Sequence, residues 1–509
     1  MVSNEVFVGA GTMATLVPEM DMYFDSMVVT FSNGNNIAVL ASSDSLRFKF
    51  LTNLYVGCRA KVTDSSSVVY QVMVTSNTEN SFTFDSDVSD ITSSTEVVDV
   101  KLLGFGAPVI AHSTSNQKLL SDNWLGLVNS FSPPSVDVET KQLALMGGNT
   151  RNLSLQYRGA ETVSGGSLDI SLNNGSWLYY ALGKVTALSN SNGSSEAWDG
   201  HTTDTFIYNN GGVGVARVIL DGLEYPPLST TNDTVEGVHG NLSNYDEIAS
   251  SDVLTYTFGE ANGASLPSFG LDVSYRKADV AATTAVDNLT PHENIYSRIF
   301  TGCQVNTLTL NFEEGQELKT SLDLVTRRVY DVVTDGTTDY VPHNGKLNPS
   351  DLKNFSATAS DNYPFMFSDG ALTVFGQTFG RVKSGSVTIN NNITPQRYIG
   401  NTSRQVMNEH IPAQRTYEIS MTALITDTTL WDELRKEDGE VTAADKLLTL
   451  NFTKNTNEFI KMSFSDYIIQ TVDIPFPEDK GAIEVTFTAS ARTLVSNSCQ
   501  YKGKWALMH

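Results

Sequence analysis

Apolar and polar residues alternate along much of this chain, and the period is that of strands. Gly166-Ser167-Leu168-Asp169-Ile170-Ser171-Leu172 puts Leu168, Ile170 and Leu172 on one face. The same alternation runs through Val305 to Phe312 (VNTLTLNF), Leu318 to Val325 (LKTSLDLV) and Ile483 to Thr488 (IEVTFT). These segments predict a sheet with one apolar and one polar face. Arg59 to Thr63, Val68 to Val74 and Ser81 to Phe84 read as a separate antiparallel meander, turning at Asp64-Ser65-Ser66-Ser67 and at Asn77-Thr78-Glu79-Asn80. Helical periodicity is scarce. Ser176 can cap a short helix with Leu178 and Leu182 at i and i+4, and Thr428 or Thr429 can open another with Leu430 and Leu434 on one face. Lys184 and Lys436 fall near the ends of these helices, where a cation is favourable.

Two patches recur at a common offset of 252 residues: Gly148-Asn149-Thr150 returns as Gly400-Asn401-Thr402, and the helix segment 176–184 returns as 428–436. Two matches at one spacing point to two copies of one unit. The strands before the helices do not register at that spacing, since Leu168 and Ile170 meet Ser420 and Thr422, so a bulge or one-residue slip is needed. The chain divides on this reading into an N-terminal arm (1–30), a small β unit (31–108), a first copy (109–285) and a second copy (286–509). A polar stretch from Gly400 to Arg415, GNTSRQVMNEHIPAQR, exceeds a simple hairpin turn and is expected to contact a neighbouring subunit.

At 509 residues the chain is too long for one ordinary core, and 40% hydrophobic content is that of a globular protein. A net charge of -24 opposes sequence-independent binding to nucleic acid, which needs Lys and Arg to displace counterions, yet it suits a surface past which DNA slides. Cys58, Cys303 and Cys499 are far apart and form no CxxC pair, so neither a disulfide framework nor a zinc site is indicated. The N-terminus has no basic region followed by an apolar run, and no segment supplies the roughly eighteen apolar residues of a membrane span.

Local motifs carry little chemistry. Gly9-Ala10-Gly11-Thr12-Met13-Ala14 has dinucleotide-loop spacing, but Pro18 leaves no room for the helix that would hold a pyrophosphate, so a terminal arm is expected. Asp85, Asp87, Ser89 and Glu96 match calcium-loop positions, with Asp90 where glycine is required, and read as a solvated loop. Glu313, Glu314 and Glu317 read as the charged tip of a hairpin rather than a glycosidase pair. No Gly-x-Ser-x-Gly elbow, His-Glu-x-x-His pair or P-loop occurs, so no enzyme, cofactor or metal is expected.

The order of the stretches GSLDISLNNGSWLYYALG, LPSFGLDVSY, GCQVNTLTLNF with LKTSLDLV, PFMFSDGALTVFG, SGSVTINNNITPQRYIGNTSRQ and YEISMTALITDTTLWDEL resembles the major tail tube proteins of tailed bacteriophages. The resemblance implies a mainly β chain: two tandem β-sandwich or rolled-sheet domains, each with a short flanking helix, plus a small β decoration domain. It implies a structural virion protein, made in the host cytoplasm, that forms trimeric, pseudo-sixfold rings stacked into a tube with other tail proteins, through whose lumen DNA passes without specific binding. Inter-ring contacts would come from Asn149, Thr150 and Arg151 and from Asn401, Thr402, Arg404, Glu409, His410 and Arg415. The alternatives are a tail terminator or initiator, or a β-rich virion adhesin.

Overall fold

The computed structural model describes residues 7–19, 21–32, 36–41, 59–78, 80–88, 95–102, 125, 127–143, 155–173, 175, 177–190, 205–209, 215–219, 253–260, 266–277, 295–331, 363–374, 377–378, 381–396, 409–424, 435, 447–456, 458–475 and 481–502. The described chain is almost all strand, and one 16-stranded sheet network dominates it. Its main path runs Gln377–Thr378, Gly370–Val374, Leu448–Asn455, Glu458–Asp473, Glu484–Lys502, Thr416–Leu424, Val382–Asn390, Ile295–Glu313, Lys319–Val325, Ser167–Ser171 and Leu127–Ser132, antiparallel throughout.

The alternation read from the sequence sets the register. Leu168, Leu322, Leu308, Ile389, Tyr417, Ala491 and Tyr467 lie opposite one another across seven strands, and all are buried. Neighbours of opposite parity face the other way. In Val305 to Phe312 the register shifts between Val305 and Thr307, so Asn306 bulges, which keeps both Val305 and Leu308 buried despite their odd spacing. The buried positions Ile419, Met421 and Ala423 lie 251 residues beyond Leu168, Ile170 and Leu172, one fewer than the spacing of the flanking repeats.

Ile295–Glu313 belongs to two layers. Up to Cys303 it pairs with Ser268–Lys277, and from Gln304 onward with Lys319–Val325 and Val382–Asn390; Gly302, at φ 65, sits at the corner. The helix Trp177–Leu182 packs against this strand and against Gly183–Asn190 and Val253–Glu260. All six of its residues are buried, where the sequence predicts only a stripe at Leu178 and Leu182. The added strands cover the face that the stripe leaves open, and Trp177 and Tyr180 close on Phe269 at ring distances of 5.7 and 4.9 Å. The second predicted helix, 428–436, lies outside the described residues apart from Arg435, which is exposed.

Asp21–Ser32, Ile37–Leu40, Ser81–Phe84, Val69–Thr78, Arg59–Thr63 and Glu96–Leu102 pair in that order, and the last pairs back to the first, closing a small barrel. Closure leaves no free edge among these strands. The expected turn at Asp64 forms because its Oδ1 accepts from Ser66 N and Val68 N, each at 2.9 Å, while Ser67 takes φ 64. Residues 1–30 thus supply two strands: Asp21–Ser32 opens the barrel, and Phe7–Glu19 pairs with Ser268–Lys277. The glycine-containing stretch between Val8 and Met13 is where that second register shifts.

Candidate functional site: the polar sheet face and its two hairpins

The face of the long sheet opposite the core is lined by small polar side chains in register rows. One row crosses eight strands: Ser130, Asp169, Ser321, Thr309, Thr388, Glu418, Ser490 and Ile468. On one side of it runs Ser132, Ser167, Asp323, Thr307, Asn390 and Thr416. On the other run Ser171, Lys319, Asn311, Ser386, Ser420, Thr488 and Thr471, then Glu313, Ser384, Thr422, Thr486 and Asp473. Hydroxyls bond across the strands at Thr309–Thr388 (3.2 Å), Thr422–Thr486 (3.1 Å) and Thr471–Thr488 (2.6 Å). Such pairs add a few tenths to about 1 kcal/mol each, and they leave a surface of short side chains already engaged with one another.

The charge on this face is mostly negative. Asp169, Glu313, Asp323, Glu418 and Asp473 stand in these rows with Lys319 as their cation. Hydrogen bonds from Ser130 and Ser321 hold the Asp169 carboxyl below its ordinary range, so it stays ionised at neutral pH. Towards the Glu313 end the face dips into a concavity of about 540 Å³ lined by Asn311, Ser384, Ser386, Ser420 and Thr422. Beside it, Gln316 N donates to the Glu313 backbone carbonyl to close the turn at Gly315 (φ 75), and the Glu317 carboxylate accepts from Ser171 Oγ at 2.6 Å. Of the acids at calcium-loop spacing, Asp85 accepts from Met73 N and Glu96 from Ser65 N and Oγ; Ser89 lies outside the described residues.

The long polar row ends at two strands that are unpaired on one side among the described residues. Leu127–Ser132 pairs only with Ser167–Ser171, and the stretch from Tyr467 to Asp473 pairs only with Glu484–Lys502. Val128 and Ile468, at these opposite edges, are 39% and 50% exposed.

Two hairpins leave the sheet. Ser135–Leu143 pairs with Leu155–Ser164, joining the neighbouring strands Leu127–Ser132 and Ser167–Ser171. Ile393–Gln396 pairs with Glu409–Pro412, joining Val382–Asn390 and Thr416–Leu424 in the same way. Their connections, 144–154 and 397–408, contain the repeated Gly-Asn-Thr. Asn149, Thr150, Arg151, Asn401, Thr402 and Arg404 therefore belong to topologically equivalent connections but lie outside the described residues. Leu143, Leu155 and Tyr157 are about half exposed on the first hairpin, as is Ile411 to a similar degree on the second.

Of the other expected contact residues, Glu409 begins the returning strand of the second hairpin. His410 is buried, with Nδ1 bonded to Gln304 Oε1 at 3.1 Å; because the Gln304 amide donates to Leu266 O, the histidine nitrogen is the donor. Burial, with the Arg327 charge nearby, lowers the His410 pKa to about 3. Arg415 is half-buried and donates to Asn391 Oδ1 (2.7 Å) and Leu182 O (3.1 Å). Asn391 and Gln304 have no signature in the sequence, because their partners lie far along the chain; Asn391 is only one of three consecutive asparagines until the fold buries it.

A family model described as phage tail tube protein matches residues 62–491. The chain belongs to this family. This tail tube protein is thereby a structural component of the virion tail, and its mainly β architecture is the one expected from the resemblance. A comparison with curated proteins found no match.

Proposed function

We propose that three copies of this tail tube protein close a pseudo-sixfold ring whose lumen is walled by the hydroxyl- and carboxylate-lined sheet face, and that rings stack into the conduit through which DNA leaves the capsid. The observation that carries this reading is the register row Ser130, Asp169, Ser321, Thr309, Thr388, Glu418, Ser490 and Ile468, polar at all but its last position, which runs between the two sheet edges that are unpaired among the described residues, over a mostly apolar opposite face. A wall of short, mutually bonded hydroxyls offers DNA few free donors, and its carboxylates repel phosphate, so the strand passes without being held. Joining the two edges between copies would continue the row around the ring and remove the unpaired backbone.

The repeat at 252 residues and the two equivalent hairpins support two copies of one unit per chain, which makes three chains equivalent to six units. In this reading Asn149, Thr150 and Arg151 at one connection, and Asn401, Thr402, Arg404 and Glu409 at the other, meet the adjacent ring, while His410 and Arg415 serve that contact from the hairpin's inner side. The small barrel decorates the outside. The role is mechanical and needs no catalytic group.

Negative-stain electron microscopy of the purified chain, with light scattering for mass, tests this. Threefold rings and hollow stacked tubes are expected. Rings that never stack would indicate a terminator or initiator instead, and a monomer stable at every salt concentration would overturn the proposal.

A further inference from the structure

The second hairpin leaves the long sheet at Asn391 and returns at Arg415, and these crossings are bolted to each other and to fixed points. Asn392 Nδ2 donates to Gln414 O (2.8 Å), Ala413 N to Asn391 O (3.2 Å) and Arg415 Nε to Asn391 Oδ1 (2.7 Å), which ties the two crossings together. Asn391 Nδ2 donates to Ala181 O and Val305 O, both at 3.0 Å, and Arg415 Nη2 to Leu182 O at 3.1 Å. Ala181 and Leu182 end the helix, whose last carbonyls need partners from outside it. Ile393 N donates to Asn306 Oδ1 (2.8 Å), at the bulge of Ile295–Glu313.

The hairpin is a two-stranded sheet of its own, with no ladder to the long sheet among the described residues. Such a hairpin is marginal by itself, so its direction is set where it joins the body. The first hairpin turns out of the sheet by backbone shape instead: Pro133 and Pro134 on one side face Gly165 (φ 64) and Gly166 (φ 121) on the other. From this contrast we infer that Asn391 and Arg415 are positioning residues that set the angle of the second hairpin, Ile393–Gln396 with Glu409–Pro412, and through it the stacking of one ring on the next. The inference rests on the reading of that hairpin and its connection as a ring-to-ring contact. An inward-facing Asn391, buried and with its side-chain amide fully used, transmits the position of the helix end to the hairpin.

The test compares the concentration threshold for stacking rings into tubes with the thermal transition of the unassembled chain, for Arg415→Ala and Asn392→Gly. Asn392 has φ 49, which glycine adopts without strain, so Asn392→Gly removes only the bond to Gln414 O and remains folded even where Arg415→Ala does not. Asn392→Gly is expected to form normal rings with an unchanged thermal transition and to need about tenfold more protein to stack; Arg415→Ala, which takes the donor from Asn391 Oδ1 and Leu182 O, is expected to lower the thermal transition and to raise the threshold by more than that loss accounts for, with Arg415→Lys falling between. An unchanged threshold in folded Asn392→Gly overturns the inference, as does a threshold that moves only in step with lost thermal stability. A wild-type chain whose rings never stack overturns the underlying reading of the connection as well, and is distinguished because no threshold then exists to shift.

Discussion

Gly385 lies on the apolar face of Val382–Asn390, directly opposite Phe312. A Cβ there would come within 2.5 Å of the Phe312 ring and 2.8 Å of Ser420 O, and neither a packed ring nor a backbone oxygen can yield cheaply. Adding a methyl group in a strand ordinarily stabilises by about 0.5–1 kcal/mol, whereas overpacking costs about 1–3, so the steric effect wins. Gly385→Ala is expected to lower the denaturant midpoint of the unassembled chain by an amount in that range. His410 provides a pH-dependent counterpart. Its folded pKa of about 3 lies below the ordinary 6.5, so between these values the unfolded chain binds a proton that the folded chain refuses. Stability from this group is complete above pH 6.5 and declines as the pH falls, by up to about 1.4 kcal/mol per pH unit. Between pH 6.5 and 5, above the main carboxylate range, His410→Gln should lose about 1.5 kcal/mol less than wild type in denaturant titrations.

Among the elements, the two edge strands carry the assembly argument. Among the described residues, Leu127–Ser132 and the end of Glu458–Asp473 have no strand partner on one side, beside the exposed Val128 and Ile468. Lysine on an edge opposes strand addition while leaving a folded sheet intact. Val128→Lys and Ile468→Lys are each expected to give a monomer by light scattering, with wild-type circular dichroism. Rings that persist in both variants would remove these edges as the seam. The helix Trp177–Leu182 has a different role: wholly buried, it receives Asn391 and Arg415 at its end and so joins the second hairpin to the body of the molecule.

At the scale of the whole molecule, the net charge of -24 acts through its distribution. If Asp169, Asp323 and Glu418 line the lumen, replacing all three by lysine converts a repelling wall into one that holds phosphate. Particles carrying the triple variant are expected to assemble tubes of normal dimensions, to retain DNA in low salt, and to recover ejection as salt is raised, because each phosphate contact carries a steep salt dependence. Ejection unaffected at low salt would place these carboxylates away from the DNA path.

Much of the fold was legible because period-two alternation is a local property. Leu168, Ile170, Leu308, Leu310, Leu322 and Leu324 declare an inward face, and Asp169, Thr309 and Ser321 an outward one, whichever strands they meet. The short helix at 177–182 and the turn at Asp64 were legible for the same reason. Only the tertiary structure decided that Ser167–Ser171 pairs with Lys319–Val325, that Asp21–Ser32 closes the small barrel, and that the helix is covered on every side. The alternation specifies which face is dry but not which strand lies alongside. The polar root of the second hairpin is the extreme case: from Asn391 to Ala181 the chain separation is 210 residues, from His410 to Gln304 it is 106, and no local pattern marks which side chain of a polar run will turn inward. Burial of such a group is worth its desolvation only once donors and acceptors from distant segments arrive together, and that coincidence exists only in the folded chain.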